Sequence, residues 1–300
     1  MEATPLFSVI IPTRGRHAQL AACLASLAAQ DFPRERFEVI VVDDGSVPPV
    51  DGCAAPFRAR LDLRLFAQPN AGPAAARNRG AAEARARFLA FTDDDCLPDP
   101  RWLAALAEGF DAAPDALVGG RTVNALACNA YSATSQLIID VVYDHYNAGR
   151  GGARFFASNN FAVPAAAFRD AGGFDESFRC SEDREFCDRW LARGLNLVYA
   201  PAALVHHAHA LGAGSLWRQH FGYGRGAYQF HRKREARGAG SFKPESAFYS
   251  KLLRAALAQT GVAQSLKMTA LLAWAQAANA AGFFYERLRP ASRAPAARRT

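Results

Sequence analysis

The sequence predicts an α/β fold, with a parallel sheet between two layers of helices and a mostly helical, basic C-terminal extension. Short β-branched apolar runs alternate with helical segments four or five times in residues 1–125. Buried strands that alternate with helices are typical of parallel sheets covered on both faces. Two of these runs end in carboxylate clusters, and ligands of such sheets bind at the carboxyl ends of the strands.

Composition narrows the class of protein further. Half of the 300 residues are hydrophobic and 11% are aromatic, which excludes a disordered chain. The net charge of +7 is unevenly distributed: residues 1–217 hold 20 basic and 25 acidic residues, and residues 218–300 hold 15 and 3. No apolar stretch or N-terminal pattern indicates a membrane span or a secretory signal. The six scattered cysteines form no C-x-x-C pair, which favours reduced thiols in the cytoplasm.

The predicted elements follow from this patterning. Strands are expected over 7–11, 37–42, 61–67, 87–91 and 116–123, and helices over 17–30, 72–85 and 99–111. Later segments predict a helix over 131–146, a strand over 155–163, a helix over 181–193 and a strand over 195–199 that stops before Pro201. Residues 215–290 are mostly helical in pattern, with a glycine-rich break at 222–226. We expect a catalytic domain over 1–230, divided near residue 125, and a helical tail over 231–300.

The most acidic strand end is Asp93-Asp94-Asp95. Three adjacent carboxylates repel one another, and a divalent cation would offset that repulsion. Mg²⁺ and Mn²⁺ prefer carboxylate oxygen and often bridge to phosphates of a substrate. An acidic turn that caps the following helix is the alternative, and the position after a buried strand favours the metal.

Two further clusters lie at the same predicted edge. Asp43 and Asp44 follow the second strand, where a carboxylate can accept hydrogen bonds from a nucleobase or a ribose; a simple Asp-Gly turn is the alternative. Gly72-Pro73 opens a helix whose N-terminus faces the sheet edge, and Arg77 could hold a phosphate one turn later, unless it lies on a solvated basic face.

Two clusters in the second half could complete a site. Glu182 and Asp183 open a helix, and one of them could be a general base, although acidic residues also stabilise a helix N-terminus. His206, His207 and His209 could supply an imidazole to the metal, although a histidine cluster at the surface has no such role.

The ordered motifs resemble those of the family 2 glycosyltransferases. They are SVIIPTRGR, VVDDGS, N-x-G-x-x-x-x-RN, FTDDDC, GGFDE, SED and a histidine cluster, and they extend from about Ser8 to Gly226. The resemblance implies the GT-A fold, a Rossmann-like nucleotide-diphospho-sugar transferase fold. It also implies Mg²⁺ or Mn²⁺ as cofactor and transfer of a sugar with inversion at the anomeric carbon.

The resemblance also assigns roles to residues. The base, ribose and diphosphate of the donor would contact Pro12, Thr13, Arg14, Asp43, Asp44, Gly72, Arg77, Asp93 and Asp94. Asp95 would bind the metal together with His207, with His206 and His209 as alternatives. Asp183, beside Glu182, would be the catalytic base.

The expected reaction is transfer of one sugar from a nucleotide-diphosphate sugar to a hydroxyl of a glycan, a lipid-linked molecule or a small molecule. We expect a non-processive enzyme, because Trp217-Arg218-Gln219-His220 replaces the Q-x-x-R-W motif of processive relatives. Cell-envelope polysaccharide or glycoconjugate synthesis would use such an enzyme. The basic tail suits an anionic membrane surface at the inner face of the cell membrane, a partner subunit, or packing on the catalytic domain.

Three other functions were weighed against this one. A catalytically inactive sugar-nucleotide-binding or scaffold protein would keep the same fold. A Rossmann oxidoreductase would need G-x-G-x-x-G after the first strand, where this chain has Pro-Thr-Arg-Gly-Arg. Nucleic acid is not expected as a partner, because the carboxylate-rich edge would repel phosphates and aromatic residues do not alternate with basic ones.

Overall fold

The computed structural model describes residues 4–148, 152–243 and 245–289. These residues form one eight-stranded sheet in the order β3-β2-β1-β4-β7-β6-β8-β5. The strands are β1 Phe7–Thr13, β2 Phe37–Asp43, β3 Leu63–Ala67, β4 Phe88–Phe91, β5 Cys96–Pro98, β6 Leu117–Asn124, β7 Phe161–Pro164 and β8 Leu197–His207.

The helices pack on this sheet or on one another. They are α1 His17–Leu27, α2 Asp51–Ala54, α3 Pro73–Glu83, α4 Trp102–Ala112, α5 Ala130–Asn147, α6 Ala165–Asp170, α7 Glu182–Ala192, α8 Ala213–Ala236, α9 Ser246–Leu257 and α10 Val262–Leu288. The α/β fold and the helical C-terminal region predicted from the sequence are confirmed.

The sheet is mixed, so the prediction of a fully parallel sheet was wrong. Strands β3, β2, β1 and β4 are parallel, but β7 runs antiparallel to β4 and β6, and β5 runs antiparallel to β8. A buried strand has the same apolar pattern in either direction, so the sequence could not distinguish them. The parallel strands β1 and β2 are buried along their whole length, and their carboxyl ends lie at one edge.

Two other boundaries differ from the prediction. Strand β8 continues past Pro201, because a register shift between Gly120 and Arg121 of β6 leaves the proline out of the regular ladder. Helix α8 runs without interruption through residues 222–226, where a break was predicted. Residue 230, where we expect the catalytic domain to end, lies within this helix, and the domain boundary stays a prediction. Residues 290–300 of the predicted tail lie outside the described residues.

Glycines allow α8 to pack directly on α10. A Cβ atom on Gly224 would lie 1.9 Å from the carbonyl oxygen of Asn279, and one on Gly282 would lie 1.9 Å from that of Phe221. The two helices run in the same direction, since Trp217 contacts Trp274 and, further along both helices, Arg225 pairs with Glu286. The tail therefore packs on the rest of the protein through backbone contact, one of the three interpretations that the sequence allowed.

Candidate active site

A single large cleft at the carboxyl ends of β1, β2 and β4 contains most of the predicted site residues. Its volume is about 1670 Å³, more than the roughly 300–1,000 Å³ of an ordinary small-molecule pocket. It therefore has room for two substrates. The predicted residues that line it are Pro12, Thr13, Arg14, Asp44, Gly72, Arg77, Asp93, Asp95, Glu182, Asp183 and His207.

The cleft continues beyond α7 into a region that we call the far arm, lined by Tyr146, Arg184, Phe230, Phe248 and Phe283. These residues belong to helices α5, α7, α8, α9 and α10. The tail is thus part of the wall of the cleft, a feature that the sequence did not reveal.

At the other end of the cleft, Asp44 organises the loop before α3. Its carboxylate accepts hydrogen bonds from the backbone N–H groups of Ala71 and Gly72, both at 2.9 Å, and from the side chain of Asn70 at 2.7 Å. Asp43 lies behind this loop and accepts from the backbone of Ser46 and Val50. The structure thus places Asp44 at the cleft and Asp43 in a turn, away from the residues that line it.

The three consecutive aspartates face different surroundings. Asp94 is fully buried beneath the cleft, where it accepts a hydrogen bond from Thr13 at 2.7 Å and pairs with Arg16 at 2.8 Å. Burial raises the pKa of Asp94 to about 6, against the opposing effect of Arg16 and Thr13. Asp93 and Asp95 line the cleft on either side. The structure therefore does not bring Asp94, predicted to contact the donor, into the cleft.

Asp95 lies in a cluster with two histidines. One ligand atom each from Asp95, His207 and His209 lies within 4.8 Å of the others, and the Nε2 atom of His207 is 3.3 Å from Asp95 Oδ1. Burial alone would raise the pKa of Asp95, but the hydrogen bond to His207 and the charges of His207 and Arg16 hold it well below its ordinary value. The carboxylate is therefore ionised at neutral pH.

His206 does not belong to this cluster. It is adjacent to His207 on strand β8, where successive side chains point to opposite faces of the sheet. Of the three histidines considered from the sequence, the structure thus groups His207 and His209 with Asp95.

Arg77 connects the two halves of the cleft. Its guanidinium is buried and pairs with Asp93 at 2.5 Å and with Glu182 at 2.7 Å. Burial opposes its charge, but the two carboxylates raise its pKa well above the ordinary value. Arg77 therefore fixes the start of α7 against the aspartates that follow β4, and both of its terminal nitrogens have protein partners.

Asp183 is held beside this ion-pair network in the first turn of α7. Its carboxylate accepts hydrogen bonds from the backbone N–H of Ser158 at 3.2 Å and of Arg184 at 2.7 Å. Burial, and then the charge of Glu182, raise the pKa of Asp183 to about 7. A carboxylate that titrates near neutrality and lines a cleft suits a general base.

The turn before Asp183 has an unusual backbone. Ser181 has a φ of 69°, in the left-handed region that costs free energy for a residue other than glycine. The turn packs against α8 at Gly226, where a Cβ atom would lie 2.5 Å from the carbonyl oxygen of Cys180. The glycine that was interpreted as part of a helix break therefore makes room for the turn that carries Asp183.

Sequence reasoning missed two contributors to the site. Arg16 pairs with Asp94 and with Asp95, the latter at 2.7 Å, although only Pro12, Thr13 and Arg14 of its motif were assigned. The signal in the sequence was that Arg16 is a second basic residue in the same loop as Arg14. Ser158 contributes only its backbone N–H, and nothing in a side-chain pattern could have identified it.

Comparison with known proteins identifies the family. The chain matches the model of the family "Glycosyl transferase family 2" over residues 8–175. It is 34% identical over 211 residues to the pre-mycofactocin glycosyltransferase of Mycobacterium tuberculosis, covering 67% of this chain and 42% of the relative. It is 30% identical over 242 residues to the validoxylamine A glucosyltransferase of Streptomyces hygroscopicus, covering 68% and 57%. The match thus spans about half the length of these relatives.

Solved structures share the fold. A mannosyltransferase from Pyrobaculum calidifontis, solved with GDP-mannose and Mn²⁺, superposes with a TM-score of 0.67 over 95% of this chain and 88% of its own, at 18% identity. TarS of Staphylococcus aureus (residues 1–349) superposes with a TM-score of 0.58 over 94% and 90%, also at 18% identity. The chain belongs to the family 2 glycosyltransferases and has the GT-A fold.

Proposed function

We propose that the protein transfers one sugar from a nucleotide-diphosphate sugar to an acceptor hydroxyl, with inversion and with the help of a divalent cation. The observation that carries the proposal is the convergence in one cleft of a carboxylate–imidazole cluster, Asp95, His207 and His209, and a carboxylate that titrates near neutrality, Asp183. The mannosyltransferase neighbour was solved with GDP-mannose, and TarS with UDP-GlcNAc.

The donor nucleotide would bind at the end of the cleft formed by β1, β2 and the start of α3. Thr13, Arg14, Asp44 and Gly72 line that end. Because its carboxylate already organises the Asn70–Gly72 loop, Asp44 would act there by shaping the loop as well as by accepting from the base. Arg14 is exposed and has a flexible charged side chain for the diphosphate.

The residues at Asp95 fit a divalent cation. They offer one ionised carboxylate and two imidazoles, and Mn²⁺ accepts both oxygen and nitrogen ligands. Asp95, His207 and His209 would hold the ion, which when bound neutralises negative charge on the leaving diphosphate. Arg16 adds a positive charge at the same place, since it already contacts Asp95.

On the acceptor side, Asp183 would take the proton from the attacking hydroxyl. Its pKa near 7 leaves it ionised in a useful fraction of molecules while keeping it basic enough to accept that proton. Glu182 cannot share this role easily, because Arg77 holds its carboxylate at 2.7 Å. Direct attack from the face opposite the diphosphate inverts the anomeric carbon in one displacement.

Transfer assays with Asp183→Asn test the proposal. UDP-, GDP- and dTDP-sugars are screened with Mn²⁺ or Mg²⁺ by thermal shift and by release of the nucleoside diphosphate. The variant is expected to bind the donor normally and to lose about 10²- to 10⁴-fold in transfer. Asp115→Asn, which changes an exposed carboxylate outside the cleft, is the control. Failure of every nucleotide sugar to bind, or full transfer by Asp183→Asn, would contradict the proposal.

We also propose that α10 rests on an anionic membrane surface. Residues 262, 266, 274, 284 and 288 form an exposed apolar face along this 27-residue helix, and all of them are Val, Leu, Trp or Phe. Basic residues Lys267 and Arg287 flank this face. Among the described residues, no helix has the length and apolar character needed to cross a bilayer. An apolar face with basic flanks suits an interfacial helix.

Sedimentation with vesicles tests this location. We expect binding to vesicles that contain phosphatidylserine, and its loss in the double variant Val262→Ser/Leu266→Ser. Val47→Ser removes an equally exposed apolar side chain from the other half of the chain and serves as the control. Deletion of α10 is unsuitable, because the helix packs on α8. Equal sedimentation of the wild type and the double variant would exclude this surface.

A further inference from the structure

In the far arm of the cleft, Arg184 has no ion-pair partner among the residues that the structure describes. Arg184 follows Asp183 in the chain, and both side chains line the cleft. Within the described ranges, no carboxylate lies within 4.0 Å of its guanidinium and none of its guanidinium nitrogens makes a hydrogen bond. Its guanidinium carbon lies over the ring of Phe230, 4.3 Å from the ring centroid. This cation–π contact stabilises the positive charge, but it leaves the N–H donors of the guanidinium without acceptors among the described residues.

Neighbouring arginines show how different this arrangement is. Arg189 and Arg237 both pair with Glu185, at 2.8 and 2.7 Å, and Arg225 pairs with Glu286 at 2.7 Å. These arginines have an obvious structural role. Arg184 is half-buried, as Arg189 and Arg225 are, and an unpaired charge in such a place costs free energy.

The acidic residues of the far arm have other partners. Asp188 pairs with Arg237 at 2.7 Å, and Glu245 accepts from His145 at 2.7 Å and from the hydroxyl of Tyr146 at 3.1 Å. Neither carboxylate pairs with Arg184. Burial, the largest effect, lowers the pKa of Arg184, and the charges of Glu245 and Asp188 oppose that effect only from a distance.

Other groups indicate that this region is electropositive. His231 also lines the far arm, and burial together with the charges of Arg184 and Arg234 lowers its pKa to about 4. Arg154 and Lys243 line the same arm and are exposed. The arm thus presents positive charge to whatever enters it.

The remaining walls are apolar and aromatic. Tyr146, Phe230, Phe248 and Phe283 come from four different helices and surround the space beside Arg184. Such walls favour a flat or aliphatic group over a fully hydrated one. A ligand that satisfies this arm combines an anion with an apolar portion.

We propose that the acceptor carries an anionic group, a phosphate or a carboxylate, which Arg184 binds while Asp183 deprotonates the acceptor hydroxyl. This inference rests on the proposed transfer reaction and specifies its acceptor class. A guanidinium binds either anion through paired hydrogen bonds. Because the two residues are consecutive, the anion and the reacting hydroxyl would be held by one turn of α7.

Calorimetric binding of phenyl phosphate to the protein loaded with nucleoside diphosphate and Mn²⁺ tests the inference. The loaded nucleotide fills the donor end, so that added phosphate cannot bind there. We expect Arg184→Met to weaken phenyl phosphate binding about 10- to 100-fold and Arg184→Lys to have a smaller effect. Arg193→Met removes an exposed charge just after the same helix, outside the cleft, and should bind like the wild type.

Several results would overturn the inference. One is unchanged affinity of Arg184→Met for phenyl phosphate. Another is that the wild type binds benzyl alcohol, which lacks the charge, as tightly as phenyl phosphate. A large fall in melting temperature of Arg184→Met would also overturn it, because an unpaired cation that serves a ligand is not expected to stabilise the fold. Octyl phosphate is compared with phenyl phosphate to distinguish two sources of the anion. Tighter binding of octyl phosphate indicates a lipid-linked anion, and tighter binding of phenyl phosphate indicates a soluble one.

Refutation of the proposed transfer reaction can be distinguished from refutation of the anion site. If the wild type binds no nucleotide sugar, the glycosyl donor site is refuted, whatever phenyl phosphate does. If donors bind and are hydrolysed while Arg184→Met keeps full affinity for phenyl phosphate, only the anion site is refuted.

Discussion

Replacing Gly224 by alanine should separate α8 from α10 and destabilise the protein. The new Cβ atom would lie 1.9 Å from the carbonyl oxygen of Asn279 and 2.8 Å from the backbone nitrogen of Phe283, whereas ordinary contact begins at 3.4 Å. The helices would have to move apart by roughly 1.5 Å at this point. Both obstructing atoms belong to the backbone, so no rotamer change can relieve the contact.

The expected loss follows from two opposing effects. Overpacking against an immovable neighbour costs about 3 kcal/mol, at the upper end of the usual range, and alanine in a helix gains about 1 kcal/mol over glycine. The net loss of about 2 kcal/mol corresponds to a fall in melting temperature of roughly 3 °C in a chain of 300 residues. Because Asn279 and Phe283 also line the far arm, acceptor KM should rise while donor hydrolysis changes little.

Gly222 provides a matched control in the same helix. A Cβ atom there would have its nearest contact at 3.5 Å, with the sulfur of Cys180. Gly222→Ala should therefore gain helix propensity without a clash and stabilise the protein by about 0.5–1 kcal/mol. Differential scanning calorimetry of both variants checks the prediction. If Gly224→Ala melts at or above the temperature of Gly222→Ala, the close backbone contact between α8 and α10 is refuted.

Three further predictions concern the site. Transfer kcat/KM should fall tenfold per pH unit below about 7, because Asp183 must be ionised and its pKa is raised to that value; a pH profile that stays flat down to pH 5 would count against this residue. Arg77→Met should lower the free energy of unfolding, measured with urea, by about 3–5 kcal/mol, since two carboxylates lose their buried partner. Arg79→Met breaks a more exposed ion pair and should lower it by less than about 1 kcal/mol. His207→Ala should raise the Mn²⁺ concentration for half-maximal activity at least about tenfold, with His206→Ala as the unaffected neighbour, and chelation of the metal should abolish transfer.

Much of the structure of residues 1–125 could be predicted because its signals are local. A buried strand that ends in aspartates identifies both the element and the edge of the sheet, and the placement of Asp44, Asp93 and Asp95 at the cleft follows from it. Local pattern could not tell which aspartates face inward. The burial of Asp94 depends on Thr13 and Arg16, which come from a strand and loop about eighty residues earlier.

The second half was harder because its features depend on packing between distant segments. Gly224 and Gly226 resemble a helix break in the sequence, and only the closeness of α10 and of the Ser181 turn shows that they remain helical. The charge asymmetry has a similar explanation. Lys233 pairs with Asp175 and Lys251 with Asp144, so part of the basic tail compensates the acidic remainder of the chain.

Two carboxylates in the same cleft have their pKa values shifted in opposite directions. Both Asp95 and Asp183 are buried enough for desolvation to raise their pKa. Asp95 has His207 and Arg16 beside it, so its charge is retained, as a cation ligand requires. Asp183 has the like charge of Glu182 beside it, which raises its pKa. Arg77 forms its ion pair with Glu182 and not with Asp183. Titratable groups whose surroundings push their pKa values apart indicate separate catalytic roles. In the proposed reaction, the pairing of Arg77 with Glu182 would therefore distinguish Asp183, the proton acceptor, from Asp95, the metal ligand.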